Sequence, residues 1–339
     1  MAGILLTKES GFADSLYGKS AAPIHMMMEQ SLEAFEQKSA MNKIFDVRSS
    51  KHWAEKMTAL SALDDFTPVG ENGPYPDSSF EEVFDKTLEH VTWKNRMAIS
   101  QEMVEDNNTN LMKIRASKFT QAYARTRERF AAALIAGATG KSIQFNGKVF
   151  STACADGMPL FSAGHTNFYE VQQGVKTPKR NQSNLFKGEF SVGVLDELET
   201  RMHGFVDDKD NILGLTPDTI IIPDDSKLKR DVFAAIGAEY DPTSANNGFN
   251  YQYGRWNVII WPYWRLAAGA TDKPFILMDS AFNKTDGTAI WFDRTDLKVK
   301  AFVDNANDAA VYQGRARFSA GFNNWRGMLM GGVSTGTEL

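Results

Sequence analysis

The stretch Ile135-Ala136-Gly137-Ala138-Thr139-Gly140-Lys141-Ser142 ends like a phosphate-binding loop, in which backbone amides and a lysine cradle phosphate oxygens. The pattern requires a glycine five residues before Gly140, and Ile135 stands there. A phosphate loop follows a strand and opens a helix. This one closes a helical pattern and leads into a strand, so its amides are expected to face the wrong way and its glycines to stop a helix. Cys154, Asp156 and His165 fall within twelve residues and have the types of a thiolate nucleophile, an orienting carboxylate and a base. Catalytic partners of a cysteine are usually distant in sequence, and no nucleophile elbow surrounds Cys154, so a buried thiol and a turn histidine are expected. His25, His52, His90, His165 and His203 lack metal-ligand spacing, and one cysteine cannot build the usual structural zinc sets. Asp207-Asp208-Lys209-Asp210-Asn211 has the composition of a calcium loop without its glycine at position six or glutamate at twelve, and reads as an exposed turn. The expectation is a chain with no catalytic, cofactor or metal site, and not an enzyme.

The whole sequence agrees with a folded, self-sufficient chain. Its 339 residues, 42% hydrophobic and 23% charged, suffice for a large core. With a net charge of -5 there is no global excess of cations for phosphates, so tight direct binding to nucleic acid is not expected. The lone cysteine excludes an intramolecular disulfide and suits a reducing cytoplasm. The N-terminal residues lack a signal-peptide pattern, and no run of about 18 apolar residues is present, so no membrane partner is expected. Twenty-three Phe, seven Trp and nine Tyr lean toward a protein that associates.

Several elements must position these residues. Residues 1–50 read as an arm with a helical stretch from Ser31 to Ile44; its Met26-Met27-Met28 reads first as ordinary core filling and second as a deformable contact surface. Residues 51–103 read as an extended β-hairpin around a tip, Pro68-Val69-Gly70-Glu71-Asn72-Gly73-Pro74-Tyr75-Pro76, whose prolines and glycines forbid helix and central strand. A long hairpin with aromatic residues needs a surface to lie on, either this chain's own body or a neighbouring subunit's. Residues 104–187 hold a long helix over 107–138, with Leu111, Ile114, Phe119, Ala122, Tyr123, Thr126, Phe130, Ala133 and Leu134 at helical spacing. About 28 residues at ~1.5 Å each make a rod of roughly 40 Å. Lys113, Lys118, Arg125 and Arg129 mark a solvated or subunit-pairing face. Asn146-Gly147 signals a hairpin. Residues 188–290 alternate helices with strands, including Thr219 to Pro223, Trp256 to Trp261 and Phe275 to Asp279. Ala289 to Phe292 and Leu297 to Val303 read as separate strand segments, and residues 291–339 read as strands that return to earlier ones.

This order of elements resembles the major capsid proteins of tailed phages, the Hong Kong ninety-seven fold: an α+β chain with N-terminal arm, extended β-hairpin loop, long spine helix, peripheral domain and α/β axial domain. The chain is most similar to the Mu-type major head subunit branch in Asp156-Gly157-Met158-Pro159-Leu160-Phe161-x-Ala163-x-His165, in Leu213 to Pro223 and in Arg315 to Gly327. The family pattern has a His and an Asp where this chain has Ser162 and Gly164, and no function is given to that loop. The resemblance implies a subunit of an icosahedral shell that encloses double-stranded DNA without sequence-specific binding, located in the virion and assembled in the host bacterial cytoplasm. It implies association with itself as hexamers and pentamers, with portal and decoration proteins as further partners. With no charged prodomain ahead of the arm, the scaffold is expected to be a separate protein. By resemblance the subunit interface holds Trp53, Phe66, Pro68, Tyr75, Phe80, Phe84 and Trp93 of the extended loop. A nanocompartment shell enclosing an enzyme cargo, and an enzyme using the Lys141 loop or Cys154 region, are the competing readings.

Overall fold

Alanine, leucine, methionine, lysine, arginine, glutamine and glutamate, which lose little on entering a helix, fill most of residues 109–136, and glycine stops the run at Gly137. That rod is the longest element of a computed structural model that describes residues 5–6, 18–60, 66–71, 73–77, 82–106, 109–165, 182–240 and 248–338. From the N-terminal end the elements run β1 (Leu5–Leu6), α1 (Gly18–Glu36), α2 (Met41–Ile44), β2 (Asp46–Ser49), β3 (Ala54–Leu60), β4 (Glu82–Glu89), β5 (Val91–Ile99) and α3 (Gln101–Glu105). They continue with α4 (Thr109–Ala136), β6 (Ser142–Phe145), β7 (Lys148–Ser151), α5 (Val192–His203), β8 (Thr219–Pro223), α6 (Ser226–Ile236), β9 (Asn257–Trp261) and β10 (Phe275–Met278). The chain closes with α7 (Ser280–Asp286), β11 (Ala289–Asp304), β12 (Ala309–Phe322) and β13 (Met328–Gly331).

Two compact units form, neither continuous in sequence. The first holds Met1–Glu55, Leu88–Ala131 and Trp291–Ala320. Its sheet has the order β1-β11-β12-β5, with β2 also on β11. Met112, Ala116 and Phe119 of α4 pack on Ile99, Leu297, Val299, Ala310 and Tyr312. Further along, Phe318 stacks on Trp93 at 4.9 Å and on Trp291 at 4.9 Å, with Phe130 5.4 Å from Trp93. At Gly314 a side chain would meet the Phe119 ring, so only glycine lets α4 approach β12 this closely.

The buried stripe of α4 holds Phe119, Phe130 and Leu134 as expected and departs from the expectation in the first turns. Leu111 and Ile114 are exposed, while Met112 and Ala116 are covered, because Met28 of α1 and the sheet meet the helix on that side. Met28 is thus core, and Met26 is exposed. The N-terminal helix starts at Gly18 rather than Ser31 and breaks before α2. Ser31 Oγ lies 3.0 Å from Ser117 Oγ, and the Glu128 carboxylate accepts from Ser39 Oγ and, at 3.2 Å, from Met41 N; these bonds tie α1 and α2 to α4. Two C-terminal segments expected on either side of Asp293–Asp296 are one sixteen-residue strand, β11.

The second unit holds Lys56–Thr87, Ala132–Ile290 and Gly321–Leu339. Its four-stranded sheet has the order β13-β10-β8-β9, and β8, β10 and β13 are buried throughout. A strand buried on both faces reads as a continuous apolar run, as in Thr219-Ile-Ile-Ile-Pro223. β8 and β9 are parallel, which requires a crossover, and α6 supplies it. Asp225 caps α6 through Lys227 N and Leu228 N, and Ser191 caps α5 through Val194 N. β6 and β7 form the hairpin at Asn146-Gly147, both with positive φ (48° and 79°).

Candidate assembly surface

The residues that looked capable of chemistry are committed elsewhere. Gly137 N donates to Ala133 O, Ala138 N to Ile135 O and Gly140 N to Gly137 O, so amides that would cradle a phosphate finish a helix instead. Cys154 is buried; burial first, then the Asp156 carboxylate, push its thiol well up, and a thiol so held is a poor nucleophile. His165 is no surface turn residue. It is almost fully buried, its Nδ1 is 2.7 Å from Asp156 Oδ2 and its Nε2 is 3.0 Å from Asn184 Oδ1. Its ring stacks on Trp325 with centroids 4.2 Å apart and planes 9° off parallel.

Asn184 is the centre of that node, and sequence reasoning missed it. Its Nδ2 donates to Leu160 O at 2.7 Å and Met328 O at 3.0 Å, while its Oδ1 accepts from Ser162 N at 2.9 Å as well as facing His165. With the amide nitrogen committed to carbonyls and the amide oxygen acting as acceptor, His165 Nε2 is the donor of that contact. Cys154 takes no part. Through Asn184, Asp156 and His165 fasten the Cys154–His165 loop to β13. The Asp207 run is half-buried rather than exposed: Asp207 accepts from Lys209 N and Asn211 N, and Asp208 pairs with Arg326 at 3.1 Å.

The extended loop is different, for several of its large side chains find no cover. Between Lys56 and Glu89 the sequence has eight carboxylates against two lysines. β3 and β4 form a two-stranded ribbon, with Lys56 paired to Asp85 at 2.7 Å and Thr58 donating to Asp85 at 3.0 Å. Lys86 holds β4 to the β7 end through Ser151 Oγ (3.0 Å) and Ala153 O (2.8 Å), and burial lowers its affinity for a proton. Beyond the ribbon, Phe66 is 105% and Tyr75 95% exposed, and Pro68 is exposed beside them. Trp53, just before β3, is 67% exposed. Phe80 and the side chain of Phe84 lie outside the described residues. Trp93 sits apart from these, half-buried in β5 opposite Ala316 and stacked on Phe318.

A loop that leaves a phenylalanine, a tyrosine and a tryptophan exposed to water is a surface for association. Among the described residues, no helix is long and apolar enough to cross a membrane, and no His, Cys, Asp and Glu cluster could hold a metal ion.

Known proteins give these features a context. No curated protein matches the chain. A capsid structure of the cyanophage P-SCSP1u is similar to it with a TM-score of 0.53 and 10% identity over 87% of this chain and 88% of that one. A chain of Gordonia phage Cozz is similar with a TM-score of 0.50 and 10% identity, over 88% and 87%. At such identities the likeness is one of fold, and the fold is the mixed α+β capsid fold. The phage capsid protein family matches residues 85–330, well over half of the sequence. The chain belongs to the phage capsid protein family.

Proposed function

We propose that this chain is the major head subunit of a tailed phage, of the Mu-type branch, and that it builds a closed icosahedral shell of hexamers and pentamers around double-stranded DNA. As a phage capsid protein it is a structural subunit that associates with its own kind in the virion. The finer reading adds that it has no enzymatic activity, that a separate scaffold protein and a portal act with it in the host cytoplasm, and that a decoration protein joins the finished head. It also divides the chain into arm 1–50, extended loop 51–103, peripheral domain 104–187, axial domain 188–290 and returning strands 291–339.

One observation carries the reading: the acidic ribbon from Lys56 to Glu89 leaves Phe66 and Tyr75 bare. Such side chains are stabilised by a second surface, and in a shell the adjacent copy supplies it through a repeating heterologous contact. Trp53, Phe66, Pro68, Tyr75, Phe80 and Phe84 are the proposed contacts. Trp93 has a sufficient role in its own sheet.

Electron microscopy and light scattering on the full chain, with and without the neighbouring gene products, test this. Closed particles or six-fold rings of megadalton mass support it, and Phe66→Ser with Tyr75→Ser should abolish them while leaving the unfolding midpoint unchanged. A monomer under every condition overturns it. Particles filled with a protein cargo instead of DNA would point to a nanocompartment.

A further inference from the structure

The face of the five-stranded sheet turned away from α4 has no role in the reading above. In β5, Trp93 and Ile99 face the helix, so the alternate residues Lys94 and Arg96 point the other way. Register sets Lys94 opposite Arg315, Arg96 opposite Gln313 and Thr92 opposite Arg317 on the same face of β12. In β11, next to β12, Leu297, Val299 and Ala301 enter the core, which turns Lys298 and Lys300 outward. Six cations therefore stand on three adjacent strands, about 4.8 Å apart across the strands and roughly 6.7 Å apart along them.

None of the six has an ion pair among the described residues. Asp296 is the single carboxylate that alternates onto this stretch of β11, and it attracts Lys298 without reaching salt-bridge contact. Arg317 Nε is buried and lacks a hydrogen-bond partner. Burial first, and then the positive charges of Arg294 and Arg315, make Arg317 a weaker base than usual. Like charges held this close raise the energy of the bare surface, and a polyanion would lower it.

The chemistry of the face favours phosphate over polypeptide. Protein interfaces are depleted of lysine at their centres and anchored by aromatic side chains. Here Thr92 and Gln313 lie between the cations, and the exposed aromatic on this face of β11, Phe302, stands beyond Lys300 near the strand's end. A phosphodiester backbone needs positive charge at regular spacing and no apolar pocket. The net charge of -5 conceals the patch because carboxylates elsewhere, eight of them between Lys56 and Glu89, outweigh it.

We propose that this sheet face, carrying Lys94, Arg96, Lys298, Lys300, Arg315 and Arg317, binds the phosphate backbone of double-stranded DNA without regard to sequence. The DNA meant is that enclosed in the proposed shell, so the inference rests on that reading. Binding by the unassembled chain is measured independently of particle formation.

The probe is a fluorescent mixed-sequence duplex of about 30 base pairs, titrated with the full chain from about 50 to 300 mM salt. Log affinity should fall linearly with log salt with a slope of roughly -3 to -5, and two unrelated sequences should bind within about twofold. Arg315→Gln with Lys94→Gln should weaken binding about tenfold or more at low salt and flatten the slope by about two, with an unchanged circular dichroism spectrum. Lys113→Gln with Lys118→Gln, on the exposed side of α4, should bind like the parent chain; equal losses in both pairs would remove the assignment to the sheet. If the first pair fails to fold, Lys300→Gln alone should still flatten the slope by about one. No binding at 50 mM salt overturns the proposal. So does capture of a peptide spanning residues 62–89, sensitive to the same substitutions, in place of DNA, which would make the acidic loop of a second copy the occupant.

Discussion

Arg127 grips Asp293 with both prongs, Nη1 to Oδ1 and Nη2 to Oδ2, each at 2.8 Å, while its guanidinium lies 4.9 Å over the Trp291 ring. Both side chains are almost excluded from water. The pair joins α4 to β11, and Tyr123 accepts a further bond from Nη1 at 3.0 Å. Arg127→Ala leaves Asp293 buried without its cation and should destabilise the chain by about 3–5 kcal/mol, read from denaturant unfolding. Arg127→Met with Asp293→Leu should restore most of that loss, since it removes both charges together.

Asn184→Leu keeps the volume but strands the Ser162 amide, the Leu160 and Met328 carbonyls and His165 Nε2. A loss of about 3 kcal/mol or more is expected. Urea unfolding of variant and parent measures it, and a loss below about 1 kcal/mol would show that water replaces the amide at little cost.

Gly332 has φ of 81°, and a Cβ there would overlap the backbone carbonyl of Lys273. Gly332→Ala should therefore separate the ends of β10 and β13 and lower the unfolding midpoint by several degrees. Gly157→Ala, at φ 74° but with open space around it, should cost about 1 kcal/mol from backbone strain alone.

His90 gives stability a pH dependence. Its Nε2 lies 2.8 Å from Ser50 Oγ and its Nδ1 3.1 Å from Ser319 Oγ, where Trp53 O accepts from its backbone amide. Burial, then Arg294 and Arg317, hold its imidazole below the usual histidine range against the opposing pull of Glu55 and Asp293. A folded pKa below the unfolded one means that the contribution is present at neutral pH and lost as pH falls through the folded value. Glu36 and Asp296, raised by burial, act in the opposite sense: their contribution is present at low pH and fades as pH rises through their folded values. The difference between parent and His90→Gln isolates the histidine. Between pH 7 and 5 the parent should lose more stability than the variant, and parallel curves would remove His90 from the account.

The parts of the fold legible in the sequence were those specified locally. α4 announced itself through helical spacing and the Gly137 stop, Thr219 to Pro223 through its unbroken apolar run, and the β6–β7 turn through Asn146-Gly147. What escaped depends on partners far away. Asp156 and His165 drew notice as possible chemistry, but Asn184 and Trp325, which give them their actual role, are 19 and 160 residues from His165. β11 looked like two segments because Asp293, Arg294, Thr295 and Asp296 interrupt its apolar pattern, and only Arg127 explains an aspartate facing the core there. The basic sheet face was invisible for the same reason, since Lys94 and Arg315 meet only through strand register.

The pairing of β5 with β12 also sets the order in which the molecule can be made. β5 leaves the ribosome some 210 residues ahead of β12, at roughly 5–20 residues per second a wait of about 10–40 s. During that interval Trp93 has no Phe318 to stack on, and α4 lacks the β11 and β12 part of the sheet it covers. Nascent chains on one messenger therefore cannot present a finished first unit to one another until β12 has followed β5 out of the ribosome.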